Sequence, residues 1–180
     1  MKHIIVHLIR GEAQNAHENI TRDLTEKFAT HPLHERIPPH LTLKRPFELD
    51  EQGMEALCRS LDAFAASHKP SGYSLSGFGN FGNGVIYVDA IPSQEMSRDV
   101  LDLLNSLREI KAIAFDEFDN GGDFHASVAM ASLKPFDYET IWNYLQSGKR
   151  PDFKMQFDNI ALLKKPADKW VVERVWEMRP

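Results

Sequence analysis

The pattern of hydrophobic and polar positions predicts short strands and amphipathic helices in an irregular order. Residues 2–8 are mostly apolar and predict a first strand. Residues 13–28 predict a helix, because apolar side chains recur at every fourth position: Ala16, Ile20, Leu24 and Phe28. A proline-containing loop then leads to a second strand, which begins at His40.

Three further helices are predicted from apolar side chains spaced three and four residues apart. They begin at or near residues suited to N-capping, namely Asp50, Ser93 and Asp137. The first of these helices ends at His68-Lys69-Pro70 and the last ends at Gly148. Further strands are predicted over residues 73–76, 85–91, 125–128, 153–163 and 170–178. This order is typical of an α+β protein.

The loop of residues 77–84 contains the pattern Gly-x-Gly-x-x-Gly. In dinucleotide-binding proteins this pattern lies between a strand and a helix, and the helix N-terminus binds the pyrophosphate. Here it is followed by Val85-Ile86-Tyr87-Val88-Asp89, which is typical of another strand. We therefore predict a β-hairpin connection at this loop, and we expect no cofactor.

Two short segments carry the same pattern of side chains, His40-Leu41-Thr42-Leu43 and His125-Ala126-Ser127-Val128. Alternate side chains of a strand point to opposite faces, so each histidine shares a face with the hydroxyl two positions later. After each segment come a basic residue, proline and phenylalanine, and then an amphipathic helix. This loose repeat predicts two related lobes whose motifs meet in a central groove.

The side chains of the two motifs indicate phosphodiester cleavage without a metal ion. His40 and His125 can act as general acid and general base, while Thr42 and Ser127 hold a small anionic group between them. Lys44 is predicted to share their strand face, because it lies two residues after Thr42, and to help bind the phosphate.

A nucleotide substrate would also need an aromatic surface on which its base can stack. Phe47 and Phe124 are the preferred candidates because they flank the two motifs. The wider set of aromatic residues near predicted strand ends also contains Phe78, Phe81 and Trp170.

A zinc site is an alternative interpretation of the segment that contains His31, His34 and His40. No cysteine is near these residues in the sequence, and the ligands would lie on both sides of a proline-rich loop. We therefore predict no metal site.

The two motifs resemble those of the 2H phosphoesterase superfamily, which includes 2′-5′ RNA ligase-like (LigT-like) proteins and RNA 2′,3′-cyclic phosphodiesterases. The resemblance extends over nearly the whole chain. It implies an α+β fold of two pseudo-symmetric lobes, with antiparallel sheets forming a central groove and helices on the outside. It also implies that His40 and His125 are the catalytic pair. Residues 1–180 are accordingly expected to form a single domain made of two lobes.

This chain departs from many RNA 2′,3′-cyclic phosphodiesterases of that superfamily at one point. Those proteins carry a basic residue soon after the second motif, whereas this chain continues Ala129-Met130-Ala131-Ser132. Lys44 is the expected counterpart of that basic residue. The departure affects the expected substrate more than the expected reaction.

Composition restricts the partners that we expect. The chain has 21 Lys and Arg against 26 Asp and Glu, a net charge of −5, which argues against binding a long duplex through its phosphates. The apolar run at residues 4–9 is too short to cross a membrane, and it lacks the cleavage site of a secretory signal. The single cysteine, Cys58, forms no internal disulfide. We therefore expect a cytoplasmic protein with no membrane partner.

These observations predict an enzyme that hydrolyses a 2′,3′-cyclic phosphate or a related cyclic phosphodiester, at an RNA end or on a small nucleotide. One alternative is the reverse chemistry, which joins RNA through a 2′-5′ linkage. Another is a protein that binds RNA ends or nucleotides without catalysis. The sequence does not specify which histidine is the acid and which is the base, nor does it specify the oligomeric state.

Overall fold

A computed structural model describes residues 1–179. Its strands are β1 (Lys2–Leu8), β2 (His40–Glu48), β3 (Ser71–Phe81), β4 (Val85–Pro92), β5 (His125–Met130), β6 (Asp152–Phe157), β7 (Asn159–Lys165) and β8 (Val171–Glu177). Its helices are α1 (Gly11–Phe28), α2 (Leu33–Arg36), α3 (Glu51–Ser67), α4 (Gln94–Arg108) and α5 (Tyr138–Ser147). The prediction of an α+β fold is confirmed.

The strands form two antiparallel sheets with equivalent topology. The strand order is β2-β1-β7-β8 in the first sheet and β5-β4-β3-β6 in the second. β2 and β5 are edge strands that follow α1 and α4, and each pairs with the strand before that helix, β1 or β4. The predicted pseudo-symmetry of the two halves is thus visible in the connections.

The helix starts follow from local sequence chemistry. The side chains of Asp50, Ser93 and Asp137 accept hydrogen bonds from the backbone N–H three residues later, at 2.8, 3.1 and 3.2 Å. These bonds satisfy N–H groups that have no partner inside the first helical turn. The predicted N-caps Asp50 and Ser93 are confirmed, and Asp137, near which the last helix was predicted to start, is its N-cap.

The first sheet buries different residues on its two faces, as strand alternation requires. One face joins the main core with α3, and its residues include Ile5, Leu41, Ile160 and Leu162. The other face carries a smaller apolar cluster formed by Ile4, Val6, Ala161 and Leu163, with Trp170 and Ile37 packed against it. This second face is the side of the sheet on which the groove lies, since Ile4, Ile37 and Trp170 line the groove.

The predicted β-hairpin connection at Gly-x-Gly-x-x-Gly is confirmed, since a strand and not a helix follows this pattern. β3 and β4 are antiparallel neighbours, and β3 extends to Phe81, further than predicted. Gly79 has a packing role, because a Cβ at this position would lie 2.4 Å from a ring carbon of Tyr87.

The structure differs from the predicted elements in three further places. The single strand expected over 153–163 is two strands, β6 and β7, which belong to different sheets. The short helix α2 lies in the proline-rich loop, where none was predicted. The face of α1 that is buried contains Ala13, His17, Thr21 and Leu24, and it is offset from the predicted apolar stripe.

Candidate active site

The two motif histidines occupy equivalent positions on neighbouring edge strands. His40 is the first residue of β2 and His125 the first of β5, and the two strands approach within 8 Å between Cα atoms. Both histidines, together with Thr42 and Ser127, line one groove with a volume of about 790 Å³. The structure therefore brings together the four motif side chains that were predicted to share one site.

Both imidazoles are oriented by the same local hydrogen bond. Nδ1 of His40 lies 2.8 Å from the carbonyl oxygen of Pro38, and Nδ1 of His125 lies 3.0 Å from the carbonyl oxygen of Asp123. A carbonyl oxygen only accepts, so Nδ1 carries the proton and donates it in each ring. In a neutral ring the lone pair is then on Nε2, which is the nitrogen available for proton transfer.

The surroundings of the two histidines affect their pKa values differently. The pKa of His40 is lowered to about 4, chiefly by burial and also by the nearby charge of His125, while the hydrogen bond to Pro38 opposes the change. Burial also lowers the pKa of His125, but the hydrogen bond to Asp123 and the carboxylates of Asp123 and Asp89 favour its protonated form. A proton is therefore held more readily by His125.

A β-bulge in each edge strand changes which residues face the groove. On β2, Thr42 and Lys44 pair with consecutive residues of β1, so Leu43 is an extra residue. On β5, Val128 is the extra residue at the equivalent position, directly after Ser127. Each bulge interrupts the alternation of side chains that holds before it.

The prediction that Lys44 lies on the catalytic face and binds phosphate is wrong. Its side chain is 1% exposed, and its ammonium group lies 2.8 Å from the equally buried carboxylate of Asp119. The next residue, Arg45, lines the groove instead. Its guanidinium group lies 3.1 Å from the Asp116 carboxylate and 4.8 Å from the centre of the Phe118 ring.

The preferred stacking candidates are also wrong. Phe47 is 5% exposed and belongs to the main core, and Phe124 borders the groove but is also 5% exposed and packed in the core, so neither exposes enough of its ring for a nucleobase to stack on. The exposed phenyl rings on the groove belong to Phe81 and Phe118, which are 45% and 65% exposed. The Phe81 ring centre lies 4.8 Å from that of the His125 imidazole. Phe118 lies in a polar loop without periodic pattern, which is why the sequence did not select it.

A third histidine, His17 of α1, also lines the groove and was not predicted. Its Nε2 donates to the carbonyl oxygen of Ser127 at 3.0 Å, which joins α1 to β5. Its pKa is lowered to about 4, chiefly by burial and also by the charge of His40. His17 lies four residues after Ala13 on the buried face of α1, and that spacing is the sequence signal that could have identified it.

Residues 1–179 contain no group of three or more His, Cys, Asp or Glu side chains arranged to hold a metal ion. The zinc site considered for His31, His34 and His40 is therefore not formed within this part of the chain. No helix of the described residues is long and apolar enough to span a membrane.

Residues 11–169, which include both histidine motifs, match the family model of the 2'-5' RNA ligase superfamily. The chain therefore belongs to this superfamily of 2H phosphoesterases.

Curated relatives match part of the chain. A Bacillus licheniformis protein named "Putative phosphoesterase" is 37% identical over 67 residues, which are 36% of this chain and 40% of that protein. A protein of the same description from Geobacillus kaustophilus is 34% identical over 64 residues, 34% of this chain and 37% of that protein. The chain thus spans about two fifths of the length of the curated relatives it matches.

Solved structures share the whole fold. The crystal structure of TT0787 of Thermus thermophilus is similar with a TM-score of 0.72 and 17% identity, over 99% of this chain and 98% of that chain. E. coli LigT complexed with 3'-AMP is similar with a TM-score of 0.54 and 16% identity, over the same shares of each chain, 99% and 98%. The fold is therefore LigT-like.

Proposed function

We propose that the protein hydrolyses a 2′,3′-cyclic phosphate, or a related cyclic phosphodiester, at an RNA end or on a small nucleotide. The observation that carries this proposal is the matched orientation of His40 and His125. Each ring donates Nδ1–H to the carbonyl oxygen two residues before it and leaves Nε2 available in a shared groove. Membership of a phosphoesterase family supports the class of reaction.

The two histidines divide the proton transfers of hydrolysis between them. His40, which burial keeps neutral with a pKa of about 4, takes a proton from water as the new bond to phosphorus forms. His125, whose protonated form Asp89 and Asp123 favour, gives a proton to the ribose oxygen as the old bond breaks. The product is a ring-opened phosphomonoester, and proton exchange with solvent restores both rings.

The two hydroxyls hold the phosphate during this exchange. Thr42 and Ser127 lie two residues after the histidines and before the bulges, so they share the histidine faces of their strands and line the groove. They donate hydrogen bonds to the non-bridging oxygens, whose negative charge increases in the transition state. Arg45 supplies positive charge on the same wall of the groove.

The exposed rings of Phe81 and Phe118 favour a substrate with a nucleobase. Exposed phenylalanines beside the groove provide stacking surfaces of the kind that single-stranded nucleotides use. LigT, whose fold this chain shares, is described in complex with 3'-AMP, which supports a nucleotide ligand.

A panel of substrates, assayed with EDTA present, tests the proposal. It contains 2′,3′-cyclic nucleotides of the four bases, an RNA oligonucleotide ending in a 2′,3′-cyclic phosphate, and 3′,5′-cyclic nucleotides. We expect metal-independent ring opening of at least one 2′,3′-cyclic substrate. His40→Ala and His125→Ala should each lower turnover by about 10²–10⁴-fold, while His68→Ala should retain it.

Other results from the same panel would support one of the alternative functions instead. Binding of RNA ends without turnover would make the protein a non-catalytic binder. A 2′-5′-linked product, formed from RNA ends that carry a cyclic phosphate and a 5′-hydroxyl, would assign the ligation that the family's name describes. Loss of hydrolysis in EDTA, restored by zinc or magnesium, would contradict the two-histidine mechanism.

A further inference from the structure

One end of the groove is cationic. His31, Arg36 and Lys165 line it together with Trp170. The pKa of His31 is lowered by burial and also by the positive charges of Arg36, Lys165 and Lys134, which places these groups around one imidazole. The ion pairs of residues 1–179 engage other basic side chains, so the two cations, Arg36 and Lys165, have no carboxylate partner in the described chain.

The cationic end is separate from the catalytic histidines. Lys165 pairs with Lys2 at the start of β1, whereas Thr42 pairs with Val6, four residues along the same strand. At roughly 3.3 Å per residue, the two positions are about 13 Å apart along the strand, on strands that lie on opposite sides of β1. The cations are therefore placed for a different anionic group from the one that Thr42 and Ser127 hold.

Trp170 gives this end an aromatic surface in a fixed position. Its backbone N–H donates to the carbonyl oxygen of Arg36 at 2.8 Å, and its side chain packs against the apolar cluster of Ile4 and Val6. The ammonium group of Lys165 lies 5.8 Å from the centre of a Trp170 ring. Cations beside an aromatic ring are the combination that binds single-stranded nucleic acid, since cations hold phosphates and rings stack on bases.

The guanidinium group of Arg36 is only partly satisfied. Its Nε is buried and has no hydrogen-bond partner among the described residues. A buried donor without a partner is costly, so a ligand or water that accepts a bond near this group is expected. Asp168 is the acidic residue on this wall, and its side chain is exposed.

We propose that His31, Arg36, Lys165 and Trp170 form a distal subsite for a backbone phosphate and neighbouring base of the RNA strand that ends in the cyclic phosphate. The proposal rests on the proposed function and extends it, because it makes an oligonucleotide end the preferred substrate over a free cyclic nucleotide. The chain is acidic as a whole, with a net charge of −5, so the attraction is local and suits a short single strand.

Kinetics on two matched substrates test this subsite. The first is a 2′,3′-cyclic mononucleotide, and the second is a tetranucleotide that ends in the same cyclic nucleotide. We expect kcat/KM to favour the tetranucleotide by about 10-fold or more, as one stacking contact plus one phosphate contact would give. Arg36→Gln and Lys165→Gln should each remove most of this preference without changing kcat/KM for the mononucleotide. Lys149→Gln, an exposed lysine away from the groove, should behave like the wild type.

Three results would overturn the subsite. The first is an equal kcat/KM of the wild type on both substrates, and the second is an equal loss on both substrates in the variants. The third comes from a cyclic nucleotide that carries a 5′-phosphate. If its kcat/KM exceeds that of the plain cyclic nucleotide by as much as that of the tetranucleotide does, the subsite binds the 5′-phosphate of the nucleotide itself rather than a phosphate of an RNA strand. Thermal unfolding shows whether each variant is folded. If Arg36→Gln fails to fold, the kinetics of Lys165→Gln still test the subsite independently.

A binding assay separates this inference from the catalytic proposal. Fluorescence anisotropy of a labelled tetranucleotide with a 3′-phosphate needs no turnover. If no cyclic phosphate is hydrolysed but Arg36→Gln and Lys165→Gln still weaken binding by about 5–10-fold, the subsite holds and the hydrolase proposal fails. If cyclic phosphates are hydrolysed but both variants bind like the wild type, only the subsite fails.

Discussion

The ammonium group of Lys44 lies 2.8 Å from the carboxylate of Asp119, and both side chains are 1% exposed. Asp119 also accepts the backbone N–H of Arg45 at 3.0 Å. One buried ion pair therefore joins β2 to the loop of residues 116–123, which leads directly into His125. The two strands that carry the histidine motifs are connected through the interior as well as across the groove.

Lys44→Met should destabilise the fold rather than weaken phosphate binding. The substitution leaves the Asp119 carboxylate buried without its cation, which costs about 3–5 kcal/mol of unfolding free energy. Urea unfolding measures this change. Lys164→Met, which removes the partly exposed pair with Glu173, is the control and should cost less than about 1 kcal/mol. Unchanged stability with a raised KM in Lys44→Met would return Lys44 to the phosphate site.

The error for Lys44 shows where a strand pattern stops being informative. The alternation of side chains between the two strand faces holds from His40 to Thr42, so the residues predicted from it do line one groove. It failed at the bulge after Thr42, because a bulge depends on pairing with β1, and the residues of β2 alone do not specify it. The basic side chain reaches the groove one residue later, at Arg45.

The same difference between local and non-local interactions explains which features of the fold could be predicted from the sequence. Helix caps such as Ser93 are local, since acceptor and donor lie three residues apart, and the sequence predicted them. The division of 153–163 between two sheets is not local, because it depends on distant strands that pair with each half. Phe118 likewise reaches the groove only through tertiary packing, so no pattern in its own segment identifies what it contacts.

Thr42→Val should reduce catalysis without changing which groups titrate. Valine keeps the shape of threonine but cannot donate a hydrogen bond, so the transition state should lose about 2–4 kcal/mol, by analogy with an oxyanion donor. Ser127→Ala should act in the same direction. Ser132→Ala, an exposed serine after β5, is the control. Normal kcat/KM in both motif variants would show that the hydroxyls do not hold the phosphate.

Phe118→Leu should weaken nucleotide binding while the protein stays folded. The ring is 65% exposed, so its removal has little effect on the core, whereas loss of a stacked base costs about 1–3 kcal/mol of binding. Equilibrium binding of a product nucleotide and thermal unfolding give the two quantities. Phe47→Leu, which alters a buried ring, should show the opposite result, with lower stability and unchanged affinity for folded protein. A Phe118→Leu variant of wild-type affinity would exclude stacking on this ring.

The pH dependence of kcat/KM should be a bell that lies on the acid side of neutrality. This quantity reports the free enzyme, in which the base must be neutral and the acid protonated. His40 becomes neutral as pH rises through its pKa of about 4, so activity rises there. His125 loses its proton as pH rises through a pKa that burial holds below 6.5, so activity then falls.

Asp89→Asn tests which histidine is responsible for which limb of that bell. The Asp89 carboxylate favours protonated His125, so its removal should move the alkaline limb to lower pH and leave the acid limb in place. Asp152→Asn, an exposed carboxylate on β6, is the control and should leave both limbs unchanged. If Asp89→Asn moves the acid limb instead, His125 has the lower of the two pKa values, which contradicts the order that the surroundings of the two histidines indicate, because only the limb of the histidine next to Asp89 responds to this charge.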